Sequence, residues 1–175
     1  KISEITGRTY KPFTYYGDAE AENVIIAMGS VTETIKECVD YLRKQGKKVG
    51  VITVHLYRPF SAKYLFNVLP KSVKRVCVLD RTKEPGANGE PLFLDIRDAF
   101  YECENRPMVI GGRYGLSSKD TTPAQMLAVF ANLEADEPKN HFTVGINDDV
   151  TMLSLPVGKE MSMAKEGTYE ALFFG

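Results

Sequence analysis

The sequence lacks the signatures of a self-contained cofactor or nucleophile site. No G-x-G-x-x-G turn follows the first apolar run, where Met28, Gly29 and Ser30 offer a single glycine, and no G-x-x-x-x-G-K-S/T occurs. A dinucleotide or ATP site of those types is therefore not expected. No G-x-S-x-G marks a nucleophile elbow. Cysteine is scarce: Cys38, Cys77 and Cys103 stand alone, with no C-x-x-C spacing. An odd, scattered set argues against a disulfide framework and against a zinc or iron–sulfur site, and buried reduced thiols suit a cytoplasmic protein. No apolar run approaches the roughly 20 residues that cross a bilayer, so no membrane span is expected. The net charge is −1, from 22 cations and 23 anions. That balance gives no electrostatic case for nucleic acid or an anionic membrane.

What is present is an ordered alternation. With 175 residues the chain is long enough for one domain with a sizeable core. Val24, Ile25, Ile26, Ala27 and Met28 form a continuous apolar run, as in a strand buried on both faces. Ser30 with Glu33 reads as a capping box, opening a helix to about Gln45 whose Val31, Ile35, Cys38, Val39 and Leu42 share one face. Strands follow at residues 49–54, 75–79 and 108–110, and a fifth, edge strand at 141–146. Helices are expected at 62–69, capped by Ser61, at 90–104, and from Pro123 to Leu133, where Thr122 caps and Gln125 completes a second box. Strand alternating with helix predicts an α/β fold, a three-layer α/β/α Rossmann-like domain on a mainly parallel five-stranded sheet. Residues 1–22 show no period and read as an extended lead-in. Their Phe13, Tyr15 and Tyr16 need a surface to pack on, in this domain or a neighbour. Residues 151–169 read as a linker. The run at 172–174 reads as the start of a strand whose sheet is missing, and is expected to be unpaired.

The candidate working edge is the loop at 111–123, GGRYGLSSKDTTP, which carries Arg113 and Lys119 among the hydroxyls of Tyr114, Ser117 and Ser118. The paired Gly111 and Gly112 are read as giving it backbone freedom. A second polar loop at 80–89 carries Arg81 and Lys83. Both follow the carboxyl ends of strands, where ligands meet open α/β sheets. Arg81, Lys83, Arg113 and Lys119 are therefore candidates for holding a carboxylate or phosphate, or for facing another domain. No catalytic residue is assigned and no metal site is expected. His55 and His141 read as structural, and Asp148 with Asp149 as a turn rather than a cation site.

Four blocks carry a resemblance: VGVITVHLYRPFS at 49–61, LDRTKEPGANGEPLFLD at 79–95, GGRYGLSSKDTTPAQ at 111–125 and NHFTVGINDDVT at 140–151. Together and in this order they resemble one region of the pyruvate:ferredoxin (or pyruvate:flavodoxin) oxidoreductases. The resemblance implies the family's second domain, which is similar to the C-terminal domain of transketolase. It implies a partition into a lead-in from a preceding domain at 1–22, the α/β domain at 23–151, and a linker with the start of a further domain at 152–175. In the full enzyme it implies thiamine diphosphate, Mg2+, 4Fe–4S clusters and coenzyme A. It also implies ferredoxin or flavodoxin as electron acceptor, neighbouring domains of the same polypeptide as partners, and a homodimer. The fragment itself is expected to bind none of these cofactors and to be inactive alone, with a scaffolding role between domains. The rival expectation is an independent regulatory module binding a nucleotide or acyl-CoA.

Overall fold

The structure, a computed structural model, describes residues 1–147, 149–160, 167–169 and 171. Its elements in chain order are α1 (Ile2–Thr6), β1 (Phe13–Gly17), β2 (Asn23–Met28), α2 (Val31–Lys44), β3 (Val49–Val54), α3 (Ala62–Phe66), β4 (Arg75–Asp80), α4 (Pro91–Tyr101), β5 (Met108–Arg113), α5 (Pro123–Glu134) and β6 (Phe142–Thr143). The strands form one six-stranded sheet in the order β1-β3-β2-β4-β5-β6. Every neighbouring pair is parallel except β1 with β3. The expected architecture is therefore present, with six strands in place of five. The additional strand lies in the lead-in, where Phe13 pairs with Val54 and Gly17 with Gly50. Phe13 is buried and meets Phe60 edge to face at 5.7 Å. At least that aromatic packs on this domain itself.

Period-two alternation divides each strand between two cores. Ile25 and Ala27 of β2, Val49 and Val51 of β3, and Cys77 and Leu79 of β4 face α2 and α5. Val24 and Ile26, Ile52 and Val54, and Val76 and Val78 face the layer that holds α3 and α4. All six residues of β3 are buried, since the strand is paired on both edges and covered on both faces. Full burial of a Val or Ile side chain contributes about 1.5–3 kcal/mol, so these continuous runs explain why the sheet forms here. Helix α2 buries Val31, Ile35, Cys38 and Val39, the expected stripe.

The helix starts differ in how they are capped. The Thr122 hydroxyl accepts from the Gln125 backbone N–H at 3.4 Å, as expected. The Gln125 side chain does not close a box; its Oε1 is buried without a partner among the described residues. Ser30 makes no side-chain cap, and Glu33 pairs with Lys36 at 2.6 Å instead. Helix α3 also lacks a side-chain cap and stops at Phe66, short of the expected Leu69. At α4 the cap comes from a distant residue. The Asp80 carboxylate, at the end of β4, accepts from the N–H groups of Leu92 at 3.0 Å and Phe93 at 3.1 Å.

Strand β5 runs on through Gly111 and Gly112 to Arg113, so the paired glycines lie in a strand and not in the loop. The reason is close approach rather than backbone freedom. A Cβ at Gly111 would stand 2.8 Å from Phe93, and one at Gly112 only 2.1 Å from Phe142. Beyond β6, residues of the expected linker fold back onto the sheet: Thr143 bridges Ser154, and Leu155 is buried. Asp149 secures that turn by accepting from Thr151 and from the Ser154 N–H. Asp148 and the tail at 172–174 lie outside the described residues.

Candidate functional site at the carboxyl edge of the sheet

The chain leaves β2 through α2 toward one sheet edge and leaves β4 through α4 toward the other. The order therefore reverses between these adjacent strands, and their carboxyl ends form a topological switch point, the usual ligand crevice of open α/β sheets. A cleft of about 250 Å3 opens there. Ser30, Val31 and Thr34 line it from the first turn of α2, Arg81 from the end of β4, and Tyr114, Lys119, Asp120 and Thr121 from the loop after β5.

Strand parity decides which cations reach the cleft. Arg81 continues the alternation of Cys77 and Leu79, on the α2 face. Its Nε donates to the Gly115 carbonyl at 3.4 Å, which steadies the side chain. Tyr114 continues the alternation of Ile110 and Gly112 on the same face, and its hydroxyl donates to the Met28 carbonyl at 3.4 Å. Burial raises the Tyr114 hydroxyl above its ordinary pKa and the Arg81 charge draws it partly back, so the phenol stays neutral at physiological pH. Lys119 enters from the loop. Among the described residues neither Arg81 nor Lys119 makes an ion pair. Two cations, four hydroxyl side chains and the positive end of a 14-residue helix make a cleft suited to an anion, with Asp120 as the counter-charge on its rim.

Arg113 lies one residue out of step and points through the opposite face. Its Nη1 stands 3.5 Å from Glu90 Oε1, and its Nη2 donates to the His141 carbonyl at 2.6 Å. The two side chains are 12% and 5% exposed. Among the described residues Glu90 Oε2 and Arg113 Nε have no partner, so the buried pair is incompletely satisfied. Lys83 is exposed on the 80–89 loop and does not line the cleft. Of the four candidates the structure thus brings Arg81 and Lys119 together and separates Arg113 and Lys83 from them. Ser30, Thr34 and Thr121 are not among the sequence candidates; Ser30 and Thr34 enter the cleft because they follow the carboxyl end of β2 at the switch point. Ser117 and Ser118 are exposed and outside the cleft. His55 shares a hydrogen bond with Thr14 at 2.8 Å, and His141 stacks edge to face on Phe93 at 5.3 Å.

The cofactors implied by the resemblance can be tested against these residues. Cys77 is fully buried in the middle of the sheet, and the Cys38 Sγ donates to the Pro123 carbonyl inside the core. Burial pushes the Cys38 thiol up to about 12 and Cys77 higher still, against the thiolate that metal ligation needs. Among the described residues no three His, Cys, Asp or Glu side chains converge on a point. Cys103 is half-buried beyond α4, its Sγ on the Ala99 carbonyl, so the described residues do not fit an iron–sulfur cluster.

The pyruvate:ferredoxin oxidoreductase core domain II profile matches residues 21–126. The chain belongs to this family. Across its whole length it is 54% identical to a pyruvate-flavodoxin oxidoreductase of Enterobacter agglomerans and 51% identical to a pyruvate:ferredoxin oxidoreductase of Moorella thermoacetica. Over 99% of its length it is 57% identical to a probable pyruvate-flavodoxin oxidoreductase of Escherichia coli K12. It spans about 15% of the length of each of these relatives. Among known structures, a 2-oxoglutarate:ferredoxin oxidoreductase from Magnetococcus marinus, bound to 2-oxoglutarate, coenzyme A and succinyl-CoA, matches 74% of this chain and 20% of its own. The TM-score is 0.50 at 21% identity, a likeness of fold. No helix among the described residues is long and apolar enough to cross a membrane.

Proposed function

We propose that this chain serves as the second core domain of a pyruvate:ferredoxin or pyruvate:flavodoxin oxidoreductase, and that it braces neighbouring domains without supplying a catalytic group. In the longer cytoplasmic polypeptide, pyruvate and coenzyme A are converted to acetyl-CoA and CO2, and two electrons pass to ferredoxin or flavodoxin. The observation that carries this is full coverage of the chain, at more than half identity, within about 15% of the length of oxidoreductases of that name. Thiamine diphosphate, Mg2+ and the 4Fe–4S clusters would be held by other parts of the polypeptide, which would assemble as a homodimer. The α/β domain is taken as 23–151, with 1–22 arriving from a preceding domain and contributing β1 to the sheet, and with 152–175 leading into the next.

The carboxyl edge is the proposed contact. Arg81 and Lys119 hold an anion in the cleft, a carboxylate of a neighbouring domain or the anionic end of coenzyme A, and Lys83 adds positive charge from the outer loop. Arg113 acts from behind by fixing β5 and the 80–89 loop against Glu90. The test is the double variant Arg81→Ala with Lys119→Ala in the complete enzyme. It is expected to raise the KM for coenzyme A or to loosen the assembly. Unchanged kinetics with unchanged assembly would overturn the proposal.

A further inference from the structure

The two faces of the sheet are covered unequally. Helices α2 and α5, of 14 and 12 residues, cover one face. The other has α4, of 11 residues, and α3, of only 5. On the thin side large apolar side chains remain in solvent: Tyr101 is 74% exposed, Tyr64 51% and Phe66 36%. Exposed aromatics gathered on one surface mark an interaction site far more often than single scattered ones do. Here Tyr101 and Phe66 are gathered along one groove. Phe66 packs edge to face on Phe100 at 5.3 Å, and Tyr101 lines two grooves at once. One groove, of about 440 Å3, runs between α3 and α4 past Phe66 and carries Asp98 and Glu102. The other, of about 320 Å3, runs past Phe100 and Pro107 and carries Arg97 and Arg106. The Arg106 guanidinium lies 5.9 Å over the Tyr101 ring, and its Nη1 donates to the Tyr101 carbonyl at 3.4 Å. Tyr101 is thus a ridge with an acidic groove on one side and a basic groove on the other.

We infer that this α3–α4 face is a docking surface for another part of the same longer polypeptide. The docked segment presents an apolar stretch astride Tyr101, with a cation entering the Asp98–Glu102 groove and an acid entering the Arg97–Arg106 groove. The inference rests on the bracing role proposed above. A brace needs a second contact surface, and the anion cleft lies elsewhere, beyond the carboxyl ends of β2, β4 and β5. The occupant is assigned to the same polypeptide because this stretch makes up about 15% of each related chain, leaving most of it available to cover a thin face. The split charge of the two grooves sets its chemistry. A central aromatic anchor flanked by opposite charges is how a protein contact gains both affinity and register.

The test is hydroxyl-radical footprinting of the complete enzyme, after its mass and iron–sulfur absorption have established that it is the longer polypeptide. That order separates failure of this inference from failure of the functional proposal. Tyr101 and Phe66 are expected to be labelled severalfold more slowly in the folded enzyme than in urea. A photo-crosslinking amino acid in place of Glu102 is expected to capture a peptide outside these 175 residues on the same chain. Tyr101→Asp is expected to restore labelling at Phe66, which shares its groove, whereas Tyr16→Phe, at an aromatic bonded to Asp40 of α2 on the other face, leaves it protected. Labelling of Tyr101 at the unfolded rate would overturn the inference. So would a crosslink between chains, shown with mixed isotope-labelled dimers, since the occupant would then be a second copy.

Discussion

Replacing Arg113 with Ala tests whether this arginine is a buried strut or a surface cation. Its partner Glu90 is 5% exposed on its side chain, and Glu90 Oε2 already lacks a hydrogen bond. Removing the guanidinium leaves a buried carboxylate with no counter-charge, which destabilises folds by about 3–5 kcal/mol. The hydrogen bond to the His141 carbonyl is lost as well. With a urea dependence of about 2 kcal/mol per molar, the unfolding midpoint should fall by about 1.5–2.5 M. Replacing both partners, Arg113→Met with Glu90→Leu, removes the unpaired charge along with the pair. Because the existing pair is long and incompletely bonded, the double variant should return to within about 1 kcal/mol of the parent. Arg81→Ala and Lys119→Ala should each shift stability by no more than about 0.5 kcal/mol, as surface substitutions do. Equilibrium urea unfolding followed by circular dichroism reads all five proteins. An Arg113→Ala variant no less stable than Arg81→Ala would refute the buried-pair account. So would a double variant as unstable as Arg113→Ala.

Three further outcomes follow from the packing. Gly112→Ala sets a methyl group against the Phe142 ring and should destabilise by about 1–3 kcal/mol, with hydrogen exchange quickening first at Phe142 and Thr143. Asp80→Ala orphans the Leu92 and Phe93 N–H groups and should cost about 1–3 kcal/mol in the same urea assay; a neutral result would mean that α4 does not need its distant cap. Burial raises the Tyr15 and Tyr57 hydroxyls to about 12, with Asp18 adding at Tyr15 and a hydrogen bond to Asp95 adding at Tyr57. The folded state therefore keeps these protons after the unfolded chain has released them near 10. Their contribution to stability is complete below pH 10 and is lost as pH rises toward 12. A near-ultraviolet tyrosine titration should show a late-ionising fraction that Tyr15→Phe and Tyr57→Phe each reduce.

The strands and helices of the middle region were legible because burial on both faces leaves an unbroken apolar run, as at Val24 to Ala27, and because helical stripes such as Val31, Ile35, Cys38 and Val39 repeat at the right spacing. Strand β1 was not, since it is short, lies between Pro12 and Gly17, and takes its meaning from pairing with the distant β3. The length of β5 was hidden by Gly111 and Gly112, which read as loop residues; their need for small side chains comes from Phe93 and Phe142, far away in the sequence. The same misplacement hid the division among the cations. Once β5 extends to Arg113, strand parity sends Arg113 toward Glu90 and Tyr114 toward α2. The parity of β4 likewise sends Asp80 toward α4 and Arg81 toward the cleft. Parity is present in the sequence, but it is usable only when strand ends are known to the residue. Ser30 offered no such clue, because its cap is never made and its place in the cleft depends on the sheet order.

The reading of this chain as one bracing domain of a longer redox enzyme is open to a simple test. That test is the mass and visible absorption of the native protein, captured from its source with an antibody against residues 1–175. A polypeptide several times longer than this chain is expected, with broad iron–sulfur absorption that bleaches when pyruvate and coenzyme A are added. A colourless protein of about 19.5 kDa would contradict it, and would favour a small-molecule-binding module built on the same cleft.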